Sequence, residues 1–132
     1  MKLVKHLLDN KSTEIISITE DASVLDAIKL MAERSVGSLL VMDGDVMQGI
    51  VTERDYARKV IIKGRASDTT RVAEIMTAEV CTATVDQTVN DCMTIMTNRR
   101  IRHLPVVDDD HNLVGIISVY DVLQAFEDVL QT

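Results

Sequence analysis

One sequence pattern occurs twice in this chain and constrains the fold more than any other feature. Gly49-Ile50-Val51-Thr52-Glu53-Arg54-Asp55 returns as Gly115-Ile116-Ile117-Ser118-Val119-Tyr120-Asp121. Each copy has a glycine, two β-branched apolar residues, a hydroxyl residue and, three residues later, an aspartate. This order predicts a buried strand that runs directly into a capped helix. The chain therefore contains two halves of related structure.

The match between the halves extends well before this motif. Asp26 corresponds to Asp91, 65 residues later, and the separation becomes 66 at Gly49 and Gly115. The extra residue falls in a turn-rich stretch, where the length of a hairpin connection can vary. Because solenoids need three or more short repeats, the sequence favours two halves of one compact unit.

Apolar periodicity and turn residues predict the order β-α-β-β-α in each half. The elements of the first half are expected at 15–18, 23–34, 38–42, 46–52 and 53–63. Those of the second half are expected at 81–84, 88–99, 104–107, 113–118 and from 119 onward. Gly37 either ends the first of these helices or opens the next strand. Short helical lead-in segments precede the two halves at 4–8 and 72–76.

The predicted domain boundaries are 1–64, the first repeat with its N-terminal lead-in helix, and 65–132, a linker and the second repeat. Each repeat is small enough that a core of its own would be marginal, and each presents an apolar sheet face that needs cover. We expect an α+β fold with two β-α-β-β-α repeats packed about a pseudo-twofold axis as one compact module. This symmetry predicts two equivalent clefts at the seam between the repeats.

Composition excludes several classes of function. The net charge of −7 argues against a nucleic-acid partner. The apolar runs are too short to cross a membrane, and the first residues lack the apolar stretch of a signal peptide, so we expect a cytoplasmic protein. Cys81 and Cys92 lack the spacing of a zinc or redox pair, and no metal site or catalytic set is expected.

Four Ser or Thr residues lie three positions before an aspartate, and each such pair fits a helix cap. The pairs are Ser23/Asp26, Thr52/Asp55, Thr88/Asp91 and Ser118/Asp121. The pairs that begin at 52 and 118 follow an apolar strand without a loop, where the ligand crevice of a strand-to-helix unit opens. There a hydroxyl and outward N–H groups suit a phosphate, and a carboxylate suits ribose hydroxyls. These two pairs are candidate ligand sites as well as caps.

The doubled arrangement resembles a tandem pair of CBS domains, the regulatory repeat named for cystathionine β-synthase and also called a Bateman module. The resemblance covers nearly the whole chain. It is carried by the two Gly-to-Asp motifs, by Glu74-Ile75-Met76-Thr77 before the second repeat, and by Ile101-Arg102-His103-Leu104-Pro105-Val106-Val107.

The resemblance implies adenosyl ligands in the clefts between the repeats: AMP, ADP, ATP, NAD(H) or S-adenosylmethionine, with no metal required. Thr52 and Ser118 would meet phosphate or ribose, and Asp55 and Asp121 would hold ribose hydroxyls. The first strands would sandwich adenine through residues such as Ile16, Ile18 and Thr82.

Basic residues distinguish the two halves. Arg100, Arg102 and His103 stand where the first half has Ser35, Gly37 and Ser38, and Arg54 has no basic counterpart in the second half. Arg100 is also explained as a cation at a helix C-terminus, whereas Arg102, His103 and Arg54 are candidates for phosphate contact. The two sites are therefore expected to differ in phosphate affinity or occupancy.

The sequence thus favours a non-catalytic regulatory module that senses energy or redox state through a bound nucleotide. The resemblance further implies a homodimer formed through the helices at 56–62 and 122–130, although the apolar stripe of the last helix also fits an intramolecular core. A structural dimerisation or adaptor protein with empty clefts is one alternative. A nucleotide hydrolase that uses Asp55 or Asp121 with His103 is another. The regulated partner protein is unknown.

Overall fold

A computed structural model describes residues 2–9 and 14–130, with residues 129 and 130 described by their backbone alone. The regular elements are α1 (Val4–Asp9), β1 (Ser17–Ile18), α2 (Val24–Arg34), β2 (Ser38–Asp43), β3 (Val46–Thr52), α3 (Glu53–Tyr56), β4 (Ala83–Thr84), α4 (Val89–Arg99), β5 (His103–Val107), β6 (Leu113–Ser118) and α5 (Val119–Leu130). A π-helical turn at Ala57–Ile61 continues α3, and a 3₁₀ turn lies at Val72–Glu74.

Two three-stranded sheets confirm the predicted α+β class and the doubled β-α-β-β-α order. Their strand orders are β1-β2-β3 and β4-β5-β6. In each sheet the first pair of strands is parallel and the second pair is an antiparallel hairpin. Within the described part of the chain, no helix combines the length and apolar character that crossing a bilayer requires.

The described residues group into two compact units that do not follow the order of the repeats. One unit is Ile16–Val80, and the other joins the residues up to Ile15 with those from Cys81 onward. The predicted boundary between residues 64 and 65 divides the chain by repeat, whereas these units divide it by packing. The lead-in helix α1, expected to belong with the first repeat, packs with the second, and the linker packs with the first.

Backbone hydrogen bonds hold α1 in the unit of the second repeat. The Val4 N–H donates to the Gln87 carbonyl at 2.8 Å, and the Val89 N–H donates to the Lys2 carbonyl at 3.0 Å. The side chains of Val4, Leu7 and Leu8 are buried in the core of this unit. Apolar residues spaced three and four apart therefore fix one face of this short helix onto the second sheet.

The linker makes equivalent bonds within Ile16–Val80. The Val72 N–H donates to the Ala22 carbonyl at 2.9 Å, and the Val24 N–H donates to the Thr70 carbonyl at 2.8 Å. Val72 and Ile75 are buried beside the first sheet. Each lead-in segment thus contributes buried side chains to the core of the other repeat: α1 to the second repeat, and the segment at 72–76 to the first.

Aliphatic side chains form most of both cores. In Ile16–Val80 the long helix contributes Val24, Ala27 and Met31, which lie on one helical face. In the other unit the same helical positions are held by Val89, Cys92 and Met96. Cys92 is fully buried, and burial raises the pKa of its thiol to about 11, so it acts as a small core residue.

Helices α2 and α4 each end in a left-handed residue that the sequence did not identify. Ser35 and Arg100 are their C-caps, each with φ of 55°. Gly37 does not end the helix: it directly precedes β2, and its carbonyl accepts a hydrogen bond from the Glu53 N–H at 3.1 Å. Of the two predicted roles for Gly37, the strand-opening role is the one observed.

The helix predicted at 53–63 is not a regular α-helix. After Tyr56 the turn widens to π geometry, and the Ile62 N–H donates to the Ala57 carbonyl five residues earlier at 3.1 Å. Val60 within this turn is fully buried in the core. The predicted helix is therefore present, and apolar spacing alone does not distinguish these two helical geometries.

The two motif glycines are needed for close packing of the lead-in segments. A Cβ at Gly49 would lie 2.7 Å from the Thr77 carbonyl oxygen and 3.0 Å from the Met76 sulfur. Beside it, the Thr77 N–H donates to the Ile50 carbonyl at 2.8 Å. A Cβ at Gly115 would instead meet a methyl group of Leu8 at 2.8 Å. The glycines thus admit backbone in one unit and a side chain in the other.

This difference predicts unequal costs of alanine at the two glycines. Gly49→Ala should lower the free energy of unfolding by about 1–3 kcal/mol, because backbone hydrogen-bonded to β3 must move. Gly115→Ala should cost less, because the Leu8 side chain can adopt another rotamer. Urea denaturation of both variants measures the difference, and an equal or larger cost at Gly115 would contradict this account.

Candidate functional site

In Ile16–Val80, the predicted site residues converge on one end of the sheet. Ser38 at the start of β2 pairs with Thr52 at the end of β3. The Leu40 N–H donates to the Ile16 carbonyl at 3.3 Å, so β1 begins near the same end. We call this region, defined by Ile16, Ser38 and Thr52, the first cap end.

The second unit repeats this arrangement. His103 at the start of β5 pairs with Ser118 at the end of β6. Thr82 directly precedes β4, and β4 runs parallel to β5, so Thr82 lies toward the same end of the sheet. We call this region, defined by Thr82, His103 and Ser118, the second cap end.

Thr52 and Asp55 form a complete capping box at the first cap end. The Asp55 N–H donates to Thr52 Oγ1 at 3.1 Å, and the Thr52 N–H donates to Asp55 Oδ2 at 3.0 Å. Thr52 Oγ1 also donates to Asp55 Oδ2 at 3.1 Å. The box fixes the carboxylate at the junction of an apolar strand and a helix start.

The other oxygen of this carboxylate contacts a lysine. Lys59 Nζ lies 3.1 Å from Asp55 Oδ1 and donates a hydrogen bond to the Ile75 carbonyl at 2.8 Å. The Asp55 side chain is 13% exposed and that of Lys59 is 44% exposed. Lys59 is not among the site residues predicted from the sequence. Its spacing of four residues from Asp55 was the signal that could have indicated this pair.

Ser118 and Asp121 form the matching cap at the second cap end. The Ser118 N–H donates to Asp121 Oδ2 at 2.8 Å, and the Asp121 N–H donates to Ser118 Oγ at 3.2 Å. Ser118 Oγ also lies 3.2 Å from Asp121 Oδ2. The residue four positions after Asp121 is Ala125, so no lysine stands at the position that corresponds to Lys59.

The basic residues of the second half lie at or before the start of β5. The Val119 N–H donates to the Arg102 carbonyl at 2.8 Å, as the Glu53 N–H does to that of Gly37, so the predicted correspondence of these positions holds. Arg102 is exposed and His103 is half-buried opposite Ser118. The second cap end therefore has basic residues on β5 where the first has Gly37 and Ser38.

Two predicted site residues lie farther from the caps. Arg100 is the C-cap of α4 and precedes β5, which fits the helix-end role as well as a ligand role. Ile18 pairs with Val41, deeper in the sheet than Ile16. Ile16 and Ile18 both pack against the core while keeping some exposed surface. Arg54, half-buried, follows the first cap directly on α3.

The remaining polar clusters have structural explanations. Asp108 Oδ1 accepts hydrogen bonds from the backbone N–H groups of Asp110 and Asn112, both at 2.9 Å. These bonds hold the pKa of the Asp108 carboxyl below its usual range and define a hairpin turn. Across the described residues, no group of three or more His, Cys, Asp or Glu side chains is placed to hold a metal ion.

A cap outside the candidate sites offers a matched comparison. Thr88 and Asp91 form the same box at the start of α4, with Asp91 N–H to Thr88 Oγ1 at 3.0 Å. Thr52→Ala and Thr88→Ala should each lower the free energy of unfolding by about 1 kcal/mol. Chemical denaturation measures this cost, and a Thr52 variant that is as stable as the parent protein would contradict a capping role.

Comparison with known proteins gives one consistent family. The model of the CBS domain family matches residues 4–62 and 72–128. A mitochondrial CBS domain-containing protein of Arabidopsis thaliana, CBSX3, is 43% identical over 112 residues, which are 81% of this chain. The chain spans 54% of that protein's length, so the activity and partners of the whole plant protein are not carried over.

Solved structures agree with this family. A CBS-domain protein from Burkholderia ambifaria MC40-6 is 48% identical, with a TM-score of 0.92 over 95% of this chain and 93% of that one. The CBS domain pair of protein MJ0100, solved with 5′-methylthioadenosine and S-adenosyl-L-methionine, is 29% identical, with a TM-score of 0.85 over 97% and 98%. A CBS-CP12 protein from bloom-forming cyanobacteria, 33% identical with a TM-score of 0.80 over 92% and 70%, is hexameric.

Proposed function

Because the chain belongs to the CBS domain family, we propose that it is a non-catalytic regulatory protein that binds an adenosyl nucleotide. The observation that carries this proposal is the pair of Ser/Thr-x-x-Asp caps, each at the end of a sheet that also presents the start of a short first strand. The ligands of the MJ0100 domain pair, which are adenosyl compounds, support the same ligand class.

The spacing of the strands suits a nucleoside. In each sheet the first and third strands flank the second, so their ends lie about 10 Å apart. A base at Ile16 or Thr82 and a ribose at the corresponding aspartate would span this distance. The carboxylate accepts hydrogen bonds from ribose hydroxyls, and the N–H groups of the helix start favour phosphate.

Charge distinguishes the two cap ends as ligand sites. Arg102 and His103 lie beside the second cap, whereas Arg54 and Lys59 lie beside the first, where the Lys59 ammonium is already paired with Asp55. A more strongly phosphorylated ligand such as ADP or ATP therefore fits the second cap end better. AMP, ADP, ATP and NAD(H) all carry the adenosine-phosphate portion, so the protein would report energy or redox state. We place it in the cytoplasm, where these nucleotides are abundant and free thiols such as Cys92 persist.

Binding of AMP tests this function directly. At 100 times its Kd, AMP should add roughly 2.7 kcal/mol to the free energy of unfolding and raise the melting temperature. Asp55→Ala and Asp121→Ala should each reduce this increase. Asp91→Ala removes a carboxylate from an equivalent cap on α4 and should leave the AMP-induced increase unchanged.

Three results would contradict the proposal in different ways. An absence of stabilisation by AMP, ADP, ATP and NAD(H) would favour the structural adaptor. Full stabilisation in the Asp55/Asp121 double variant would remove both carboxylates from the site. Release of phosphate from ATP, measured with the same protein, would favour the hydrolase.

We also propose a homodimer formed through the helices at 56–62 and 122–130. Large apolar side chains are exposed on or beside the helices that follow the two caps, with Ile62 at 74% and Tyr120 at 70%. The apolar stripe of α5 is only partly available, because Val122 is buried and Phe126 packs against the core of its own unit, and the side chain of Leu130 lies outside the described residues. Leu123 remains exposed.

Sedimentation velocity at micromolar concentration tests this interface. The parent protein should sediment as a dimer, and Ile62→Asp or Leu123→Asp should shift it toward monomer, because a buried charge is costly. Val46→Asp changes an equally exposed apolar residue next to a hairpin turn and should leave the dimer intact. A monomeric parent protein, or equal effects of all three changes, would overturn the proposal.

A further inference from the structure

Lys59 joins the carboxylate of the first cap to the lead-in segment of the second repeat. Its ammonium lies 3.1 Å from Asp55 Oδ1 and donates to the Ile75 carbonyl at 2.8 Å. Residues 75–77 then pass over Gly49, and Thr77 is hydrogen-bonded to Ile50 in β3. The side chain of Lys59 therefore contacts both the Asp55 carboxylate, a candidate ligand-binding group, and the backbone segment that leads to Cys81.

The contact between Lys59 and Asp55 matters for ligand binding because the Asp55 carboxylate can accept only a limited number of hydrogen bonds. A carboxylate offers about four acceptor positions, two on each oxygen. Both positions of Oδ2 are used by the N–H and the hydroxyl of Thr52. Oδ1 accepts from Lys59, which leaves one position.

A ribose presents two adjacent hydroxyl donors, so full engagement of both by Asp55 requires a second free position. Either Thr52 or Lys59 must withdraw. Thr52 contributes a backbone N–H that would lose its cap partner. Its hydroxyl oxygen accepts from the Asp55 N–H and is thereby held 3.1 Å from Oδ2, so it occupies that position even when its hydrogen turns away. Lys59 is 44% exposed, and an ion pair with such an exposed ammonium is weak because water replaces it readily. Lys59 is therefore the group that withdraws.

We propose that Lys59 is a positioning residue that competes with a ribose diol for Asp55 and thereby couples ligand binding to the segment 75–77. This inference rests on the proposed nucleotide-binding function. When Lys59 leaves Asp55, its ammonium is no longer held beside Ile75. The Ile75 carbonyl then accepts a hydrogen bond from water in place of the one from Lys59. By linkage, anything that holds the segment 75–77 in place weakens binding of the diol by the same factor.

The coupling belongs to the first cap end. The equivalent position after Asp121 is Ala125, which is buried and has no donor group. The two units thus share a cap, while the lysine that ties the cap of Ile16–Val80 to its lead-in segment is replaced by alanine in the other unit. A ligand would consequently have different effects on the two ends.

Isothermal titration of the full chain tests the competition. All proteins carry Asp121→Asn, so that binding is measured at the first cap end, and the probes are AMP and 2′-deoxy-AMP. Lys59→Met should tighten AMP binding by about two- to fivefold and leave 2′-deoxy-AMP unchanged, because a single hydroxyl needs only the free position. Lys63→Met removes the same charge from an exposed residue one turn later and should change neither affinity.

Amide hydrogen exchange of the same proteins tests the coupling. AMP should speed exchange at residues 75–77 in the Lys63→Met control, whereas in Lys59→Met exchange there should be fast without AMP and unaffected by it. Lys59→Arg keeps a cation and should restore the AMP response.

Each remaining outcome has a distinct meaning. Weaker AMP binding in Lys59→Met, or equal changes for AMP and 2′-deoxy-AMP, would overturn the competition while leaving nucleotide binding intact. AMP binding without any change of exchange at 75–77 would overturn the coupling. Failure of AMP, ADP, ATP and NAD(H) to bind any of the proteins, including one with Asp121 intact, would overturn the proposed function and this inference with it.

Discussion

The capping box at the end of an apolar strand is the interaction on which both the fold and the proposed site depend. At Thr52 and Ser118 a strand ends and a helix begins without a loop, and the N–H groups of the helix start must find acceptors there. The aspartate three residues later supplies one. The cap uses one of the two carboxylate oxygens. The proposed binding role would therefore fall on a residue that already has a structural role, and substitution there must be compared with a cap outside the candidate sites, such as that of Thr88.

The small size of each repeat explains the exchange of lead-in segments. A repeat of this length buries little surface alone, and each unit gains buried apolar side chains from the lead-in of the other repeat: Val4 and Leu7 in one, Val72 and Ile75 in the other. The motif glycines make room for these segments. The Gly-to-Asp motif thus begins at the residue that admits the lead-in segment and ends at the residue that caps the helix.

Much of this architecture could be predicted from the sequence, because each element of one repeat has a counterpart in the other and could be assigned from two segments of sequence. The sheets, the long helices and the correspondence of Arg102 with Gly37 follow from the repeat. Three features could not be predicted. The exchange of lead-in segments depends on tertiary packing, and the π turn after Tyr56 has the same apolar spacing as an α-helix. The contact between Lys59 and the Ile75 carbonyl could not be predicted either, because these residues are brought together by the packing of the lead-in segment and by the π turn.

The central claim is that the two cap ends, rather than helix starts in general, bind the adenosine-phosphate portion of a nucleotide. Titration of the ¹⁵N-labelled protein with AMP, followed by two-dimensional amide NMR, tests this most directly. The account predicts saturable shifts concentrated at residues 52–55 and 118–121 and at the starts of the first and second strands of each sheet. It also predicts unchanged amides at the equivalent cap of α4, residues 88–91. Shifts of equal size at 88–91, or a spectrum that AMP leaves unchanged, would contradict it.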